Sequence, residues 1–475
     1  MPMRDDAERC KIGGRGSLAA VILGRLTSAV GPARAADMRI DAAHDRVALT
    51  RCSGGIRIPG TDTCLRLGGY ARLDASVIGK DWLGTNGYTV DSIGVNGYSV
   101  APSGIVPTIS HGFRDDTFEM YSEARMHLTT LTQTDYGSVR TYFESEVTDD
   151  DTRTGGALSV RQAYVQFGNW TFGKTWSTYL HLASGPSYSD PYTVVGDNST
   201  AIRRSQIRYT QPFRNGLSLA VAIEDQGYDS PPAAIIGVGP NAPILKPGAT
   251  ALTVTTDAST MPDLVVALNW TREGVGSAQI AGALHQNRYV ELQTFGGTQT
   301  PTGNDRDMGF ALLAGLAPDL PTGKGDMFTL LANYTDGASQ YLQDFYGDST
   351  TVVWGLCGVT DCLLDQVRKW SAVSSVLHQW TPTIATAVGA GYSETDYGAR
   401  GTALSGLSGS PGVLNVASLE AFANVQWEPT PRTNFMIDVH YGHIDYQGFD
   451  LDPVSAGIQD GQGAWAATFE VTRRY

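Results

Sequence analysis

The chain has 475 residues, a formal net charge of -14, 41% hydrophobic residues and only 17% charged ones, against roughly 25% charged in ordinary soluble domains. The acidic balance excludes a nucleic-acid binder, which needs a basic footprint. No apolar run nears the roughly 18 residues of a membrane-crossing helix, the longest lying near residues 17–24 and 310–317.

Taken in chain order, Arg4, Arg9, Lys11 and Arg15 precede the apolar residues 18–23, and Ala33-Arg34-Ala35 supplies a small-x-small cleavage pattern. Residues 1–35 therefore read as an export signal cleaved after Ala35, although Asp5, Asp6, Glu8 and Arg25 depart from the usual pattern. Cleavage removes six basic residues from 34 and three acidic ones from 48, leaving 28 against 45 and a mature charge of about -17. Residues 36–64 form a periplasmic N-terminal segment. The cysteines beyond the signal fall into two local pairs, Cys52 with Cys64 and Cys357 with Cys362, which suits disulfides in an oxidising compartment. Neither pair has the nearby ligands of a tetrahedral zinc site.

From residue 65 onward, sixteen segments alternate between an apolar and a polar set with period two: 65–77, 118–128, 138–147, 159–167, 170–175, 205–211, 217–224, 264–270, 277–286, 308–316, 327–334, 370–379, 384–392, 419–427, 434–441 and 464–475. In the first, Leu65, Leu67, Ala71, Leu73 and Val77 oppose Arg66, Tyr70, Arg72 and Asp74. The connections alternate long and short, as in a membrane barrel with tight periplasmic turns and long outer loops. A mean hydropathy of -0.16 fits such a barrel, because only every second strand residue meets lipid. Trp170, Trp176, Trp270, Trp380, Trp427 and Tyr441 sit at segment ends, where interfacial girdles lie. The expected fold is all-β: a sixteen-stranded antiparallel transmembrane barrel over 65–475.

The stretch Ile58-Pro59-Gly60-Thr61-Asp62-Thr63-Cys64-Leu65-Arg66-Leu67-Gly68-Gly69-Tyr70 resembles the N-terminal signature of alphaproteobacterial, rhizobial-type porins. Arg161-Gln162-Ala163-Tyr164-Val165-Gln166-Phe167-Gly168 with Phe172-Gly173-Lys174-Thr175-Trp176-Ser177, then His378-Gln379-Trp380-Thr381-Pro382 and the terminal aromatic Tyr475, are similar to later parts of that family. Loops 225–263 and 393–418 do not align with it. The resemblance implies a homotrimer whose loop 176–204 folds into the lumen as a constriction, carrying Tyr188, Asp190, Tyr192 and Asp197. Opposite it, parity places inward basic residues at Arg66, Arg72, Arg125, Arg140 and Arg208, set either to charge the pore or to pair with inward Glu123, Glu144 and Glu146.

The leading expectation is an outer-membrane porin of a Gram-negative bacterium, passing small hydrophilic solutes and ions by diffusion with a weak cation preference. Its partners are outer-membrane lipid and, through the C-terminal strand, the outer-membrane assembly machinery; no cofactor or metal is implied. A sugar-type selective channel using aromatic stacking is the second reading. A barrel enzyme is the third, since Asp438-x-His440-x-x-His443-x-Asp445 is the one cluster with catalytic or metal-ligating character. No nucleophile elbow or phosphate-binding glycine motif accompanies it.

Overall fold

The computed structural model describes residues 55–79, 98–101, 104–107, 116–149, 157–189, 194–199, 202–226, 235–236, 246–256, 260–342, 352–357, 362–396, 415–447 and 462–475. Residues 1–35, read above as an export signal, and Cys52, Asp190 and Tyr192 lie outside them. Among the described residues nineteen strands share one sheet and no α-helix is present.

Sixteen of these strands close on themselves. They are β1 (Thr63–Ile78), β2 (Thr117–Thr134), β3 (Gly137–Thr148), β4 (Ala157–Phe167), β5 (Trp170–Trp176), β6 (Arg203–Pro212), β7 (Leu217–Glu224) and β8 (Asp263–Arg272). Then follow β9 (Gly276–Phe295), β10 (Thr298–Pro318), β11 (Met327–Asp336), β12 (Arg368–Thr381), β13 (Ile384–Asp396), β14 (Asn415–Thr430), β15 (Thr433–Gln447) and β16 (Gln462–Arg474). Each pairs antiparallel with its neighbours in sequence, and β16 pairs back onto β1, from Tyr70 opposite Arg474 to Ile78 opposite Ala466. Closure satisfies every ladder edge, the condition for a sheet to stand in hydrocarbon. All sixteen predicted segments are barrel strands.

Alternation works as the pattern requires. On β8, Leu264, Val266 and Leu268 are exposed on the outer face while Asp263, Val265 and Ala267 are buried inside. Trp170, Trp380 and Trp427 are exposed beside the short turns and fit the expected girdle, but Trp176 does not. It is buried at the mouth of the constriction loop with Arg203 Cζ 3.6 Å from its ring centroid.

Two further features depart from the sequence expectation. The ninth and tenth segments run on far beyond the rim: β9 and β10 stay paired to Phe295 opposite Thr298, closed by Gly296-Gly297, both at positive φ (55° and 86°). Positive φ at both central residues suits the right-handed twist of a two-residue hairpin, and glycine adopts it without strain. The β10 limb of this extension, residues 298–307, holds no apolar residue but Pro301, so no apolar set advertised it. The strand Ala249–Thr256 joins its edge, continuing the sheet with part of the loop that had no family counterpart.

The second departure is the lumen. Strands β8 to β10 carry small or apolar residues inward as well as outward, among them Val265, Ala267, Ala281, Ala283, Ala311 and Leu313. These pack against Tyr179, Leu180, Tyr188, Val194 and Ile202 of the inserted loop. Part of the barrel interior is thus a dry core of the soluble kind.

Candidate channel constriction

Between β5 and β6 the chain turns into the lumen. Its first bonds are local: Ser177 Oγ and the Thr178 N–H both donate to Glu224 at the outer end of β7, each at 2.7 Å. The loop then crosses β9, where Gln279 Nε2 donates to Tyr179 O (3.0 Å) and His181 Nε2 lies 3.1 Å from Ser277 Oγ. Further on, Asn424 and Gln426 of β14 donate to Ser187 O and Ser187 Oγ, both at 2.8 Å. The returning limb lies on β11 to β13, with Gly196 O accepting from Ser371 Oγ at 3.3 Å.

Two carboxylates fasten the tip. Ser189 N–H donates to Asp438 Oδ2 (2.5 Å), and Val195 N–H donates to Glu420 Oε2 (2.9 Å). Between them stands His440, with Nδ1 2.6 Å from Glu420 Oε1 and Nε2 3.1 Å from Asp438 Oδ2. All three side chains are 0–1% exposed. The cluster that had enzyme character is therefore an anchor: its oxygens receive backbone N–H groups of the loop, which would otherwise be unsatisfied inside the barrel. His443 and Asp445 continue toward the outer end of β15 and take no part in it. Glu420 was missed because it lies on another strand, and only register brings it beside His440.

A second outer loop reaches the same place. Immediately after β11, Tyr341 is fully buried; its hydroxyl donates to Asp263 Oδ2 (2.7 Å), and its carbonyl accepts from Asn198 Nδ2 (2.5 Å). Its ring packs on Tyr179, with centroids 4.9 Å apart. The described part of the constriction loop is thus held between the wall and another loop.

The opposite wall carries charge. Arg72 Nη2 meets Glu123 Oε2 at 2.6 Å and its Nε meets Asp74 at 2.9 Å. Arg125 bridges Glu123 (2.8 Å) and Glu146 (2.7 Å), with its guanidinium 4.8 Å from the Tyr70 ring centroid. Arg161 joins this chain through Glu146 and through Glu144 at 3.4 Å. Sequence parity missed Arg161, because the alternation of β4 points it outward. A bulge opposite Glu144 and Ser145 leaves it as the extra residue and turns it to the lumen.

Other predicted residues fall elsewhere. Arg140 is six residues nearer the periplasmic end of β3 than Glu146, about 20 Å along the strand, and donates to Gln166 Oε1 (3.3 Å). Arg208 belongs to the same ladder row through Thr171, and Arg66 is exposed near the start of β1. These three line the periplasmic half of the barrel, a correction to their placement opposite the loop. Asp197 is also corrected: only 2% exposed, it accepts from Tyr188 Oη (2.6 Å) and the Ser199 N–H (2.8 Å), so it shapes the loop from within. Tyr188 stands edge-on to Phe422 and His440 and is buried with them. The lumen rings His127, Tyr142 and Tyr164 stack in a row, with centroids 5.8 and 5.3 Å apart, so Tyr142 is covered on both faces and its two neighbours on one each.

Cys64 is disulfide-bonded. Cys357 and Cys362 are directly opposed in a separate two-stranded hairpin, Val352–Cys357 with Cys362–Gln366.

The fold has solved relatives. The outer membrane channel DcaP of Acinetobacter baumannii superposes with a TM-score of 0.61 at 18% identity, covering 89% of this chain and all of that one. The anion-selective porin from Comamonas acidovorans gives a TM-score of 0.47 at 11% identity over 87% of this chain and 100% of its own. No curated protein sequence matches. The family model of the porin subfamily matches residues 46–467, nearly the whole barrel. With its closed barrel and inserted loop, the chain belongs to the porin subfamily and is an outer-membrane channel.

Proposed function

We propose that this porin is a general-diffusion channel for small hydrophilic solutes and ions, weakly cation-preferring at low salt. The observation that carries the reading is the pairing of the wall arginines. Arg72, Arg125 and Arg161 each contact carboxylates of Asp74, Glu123, Glu144 or Glu146, so their pull on anions is offset at short range. What remains is the long-range field of a chain at -14 overall, and about -17 without the signal. Outer-mouth charges are exposed and are screened beyond about 10 Å at 0.1 M salt. The test is the reversal potential in a planar bilayer under a KCl gradient: a small cationic value is expected, shrinking as salt rises. A strong anion preference that persists at high salt overturns the reading.

Within the family, the segment Ile58 to Tyr70 supports an alphaproteobacterial, rhizobial-type member in the outer membrane of a Gram-negative bacterium. The same reading includes cleavage after Ala35, disulfides Cys52–Cys64 and Cys357–Cys362, handling by the assembly machinery through the strand ending at Tyr475, and a homotrimer. One intact-mass measurement on envelope protein checks the covalent part: a chain starting at Ala36 and lighter by four hydrogens is expected, and four free thiols would contradict it.

A further inference from the structure

The charge of the lumen wall changes on the periplasmic side of the constriction. At the constriction Arg72, Arg125 and Arg161 are chained to carboxylates. Beyond Glu144 that pattern stops: the inward positions of β1 to β6 hold three arginines, Arg66, Arg140 and Arg208, and no carboxylate among the described residues. None of the three lies within ion-pair distance of a described acidic group. Arg66 is exposed, Arg140 donates to the neutral Gln166 Oε1 (3.3 Å), and Arg208 keeps a buried Nε with no hydrogen-bond partner. Glu224 stands one inward step from the Arg208 row on β7, but its two oxygens accept from Ser177 Oγ and the Thr178 N–H. On the far wall, Asp326 and Glu428 lie at the rim and accept the backbone N–H groups of Gln379 (2.8 Å) and Arg432 (2.9 Å).

Register brings the three cations to one side of the vestibule. Arg140 and Arg208 share a ladder row through Gln166 and Thr171 and are three strands apart, about 14 Å. Arg66 is two strands from Arg140, about 10 Å, and one inward step nearer the constriction, about 7 Å. The Tyr142 ring lies between them, its centroid 5.9 Å from Arg140 Cζ.

From this arrangement we infer that Arg66, Arg140 and Arg208 form a binding site for small polyvalent anions, those bearing two or more phosphate or carboxylate groups, entered from the periplasmic mouth. Chloride meets one guanidinium at a time. A polyvalent anion spans two, and each planar fork accepts its oxygens in bidentate, charge-assisted hydrogen bonds. A lumen wall of one sign also focuses the field and raises the local anion concentration. From the outer side the same anion must first pass the carboxylates of the constriction, which makes binding one-sided.

The inference rests on the reading of the lumen as a water-filled pore and not on its weak cation preference. Single channels in a planar bilayer are recorded in KCl, and pyrophosphate is then added to one compartment and later to the other. Each channel is expected to show saturable block from one compartment, with an apparent affinity about tenfold weaker from the other. Arg66→Gln with Arg140→Gln should weaken the stronger block about tenfold, while Arg272→Gln, exposed at the periplasmic end of β8, leaves it unchanged. Should the double glutamine variant not fold, Arg66→Lys with Arg140→Lys keeps the charges, loses the forks and should show a smaller loss. Absence of KCl conductance would overturn the pore and the site together. A conducting channel that pyrophosphate does not block, block of equal strength from both compartments, or undiminished block in the variant that folds would overturn the site alone.

Discussion

His181 sits inside the constriction loop with 2% of its surface exposed, its ring against Gly315 of β10. Burial pushes its pKa down from 6.5 to about 4, so the docked loop holds the neutral ring. Released into water, the ring titrates near 6.5 and binds a proton that the docked form refuses. Docking is therefore undiminished above about pH 6.5 and weakens as pH falls, the full effect of on the order of 3 kcal/mol being reached only below about 4. Single-channel recordings between pH 7 and 4 should show rising closure noise or substates, and His181→Gln should remove that dependence; a pH-independent wild-type trace would contradict the account. Arg125 gives a complementary test. Replaced by Gln, it leaves Glu123 and Glu146 facing the lumen with one cation fewer, so the reversal potential should move toward cations. A shift toward anions would mean that the wall pairing is misassigned.

The inserted loop is an element whose placement depends on what the wall omits. At Gly391 of β13 a Cβ would come within 1.8 Å of Val195 O, so the loop backbone lies directly on the strand. Gly391→Ala should displace the tip, strain the Val195–Glu420 bond and lower stability by roughly 1–3 kcal/mol, with a changed single-channel conductance as the readout. Unaltered conductance and thermal midpoint would show that the contact is dispensable. This element also marks the limit of what was legible in the sequence. The strands were readable because lipid on one side and water on the other impose period two. The loop's destination was not, because its partners Gln279, Ser371, Glu420 and Asp438 lie on four strands whose proximity is decided by closure. One local signal existed: strands such as 264–270 and 308–316 are apolar on both faces, and an inward Val265 or Leu313 needs a cover. Arg161 was hidden for a different reason, since a one-residue bulge reverses parity and leaves little trace in composition.

At the scale of the whole molecule, the proposed trimer calls for a lipid-facing patch on which neighbours approach closely. Ala71 and Ala75 of β1, Ala421 and Ala423 of β14, and Ala467 of β16 stand on the outward faces of strands close to the seam. Without water to expel, small residues let backbones approach and gain dispersion contacts. Native electrophoresis in mild detergent should show trimers, and Ala71→Phe with Ala423→Phe should shift them to monomers; a wild type that runs only as monomer would count against the assembly. The seam itself has a kinetic meaning. Tyr70 is laddered to Arg474, and Tyr475 donates its N–H to Gly69 O at 3.0 Å. The first strand therefore has no partner on that side until β16 has been synthesised and exported. Loop-closure entropy grows only slowly with length, but a half-built barrel shows two bare edges that hydrocarbon does not tolerate. Insertion must then be concerted with closure, and a chain shortened by its last strand should stay outside the bilayer as a substrate for periplasmic proteolysis.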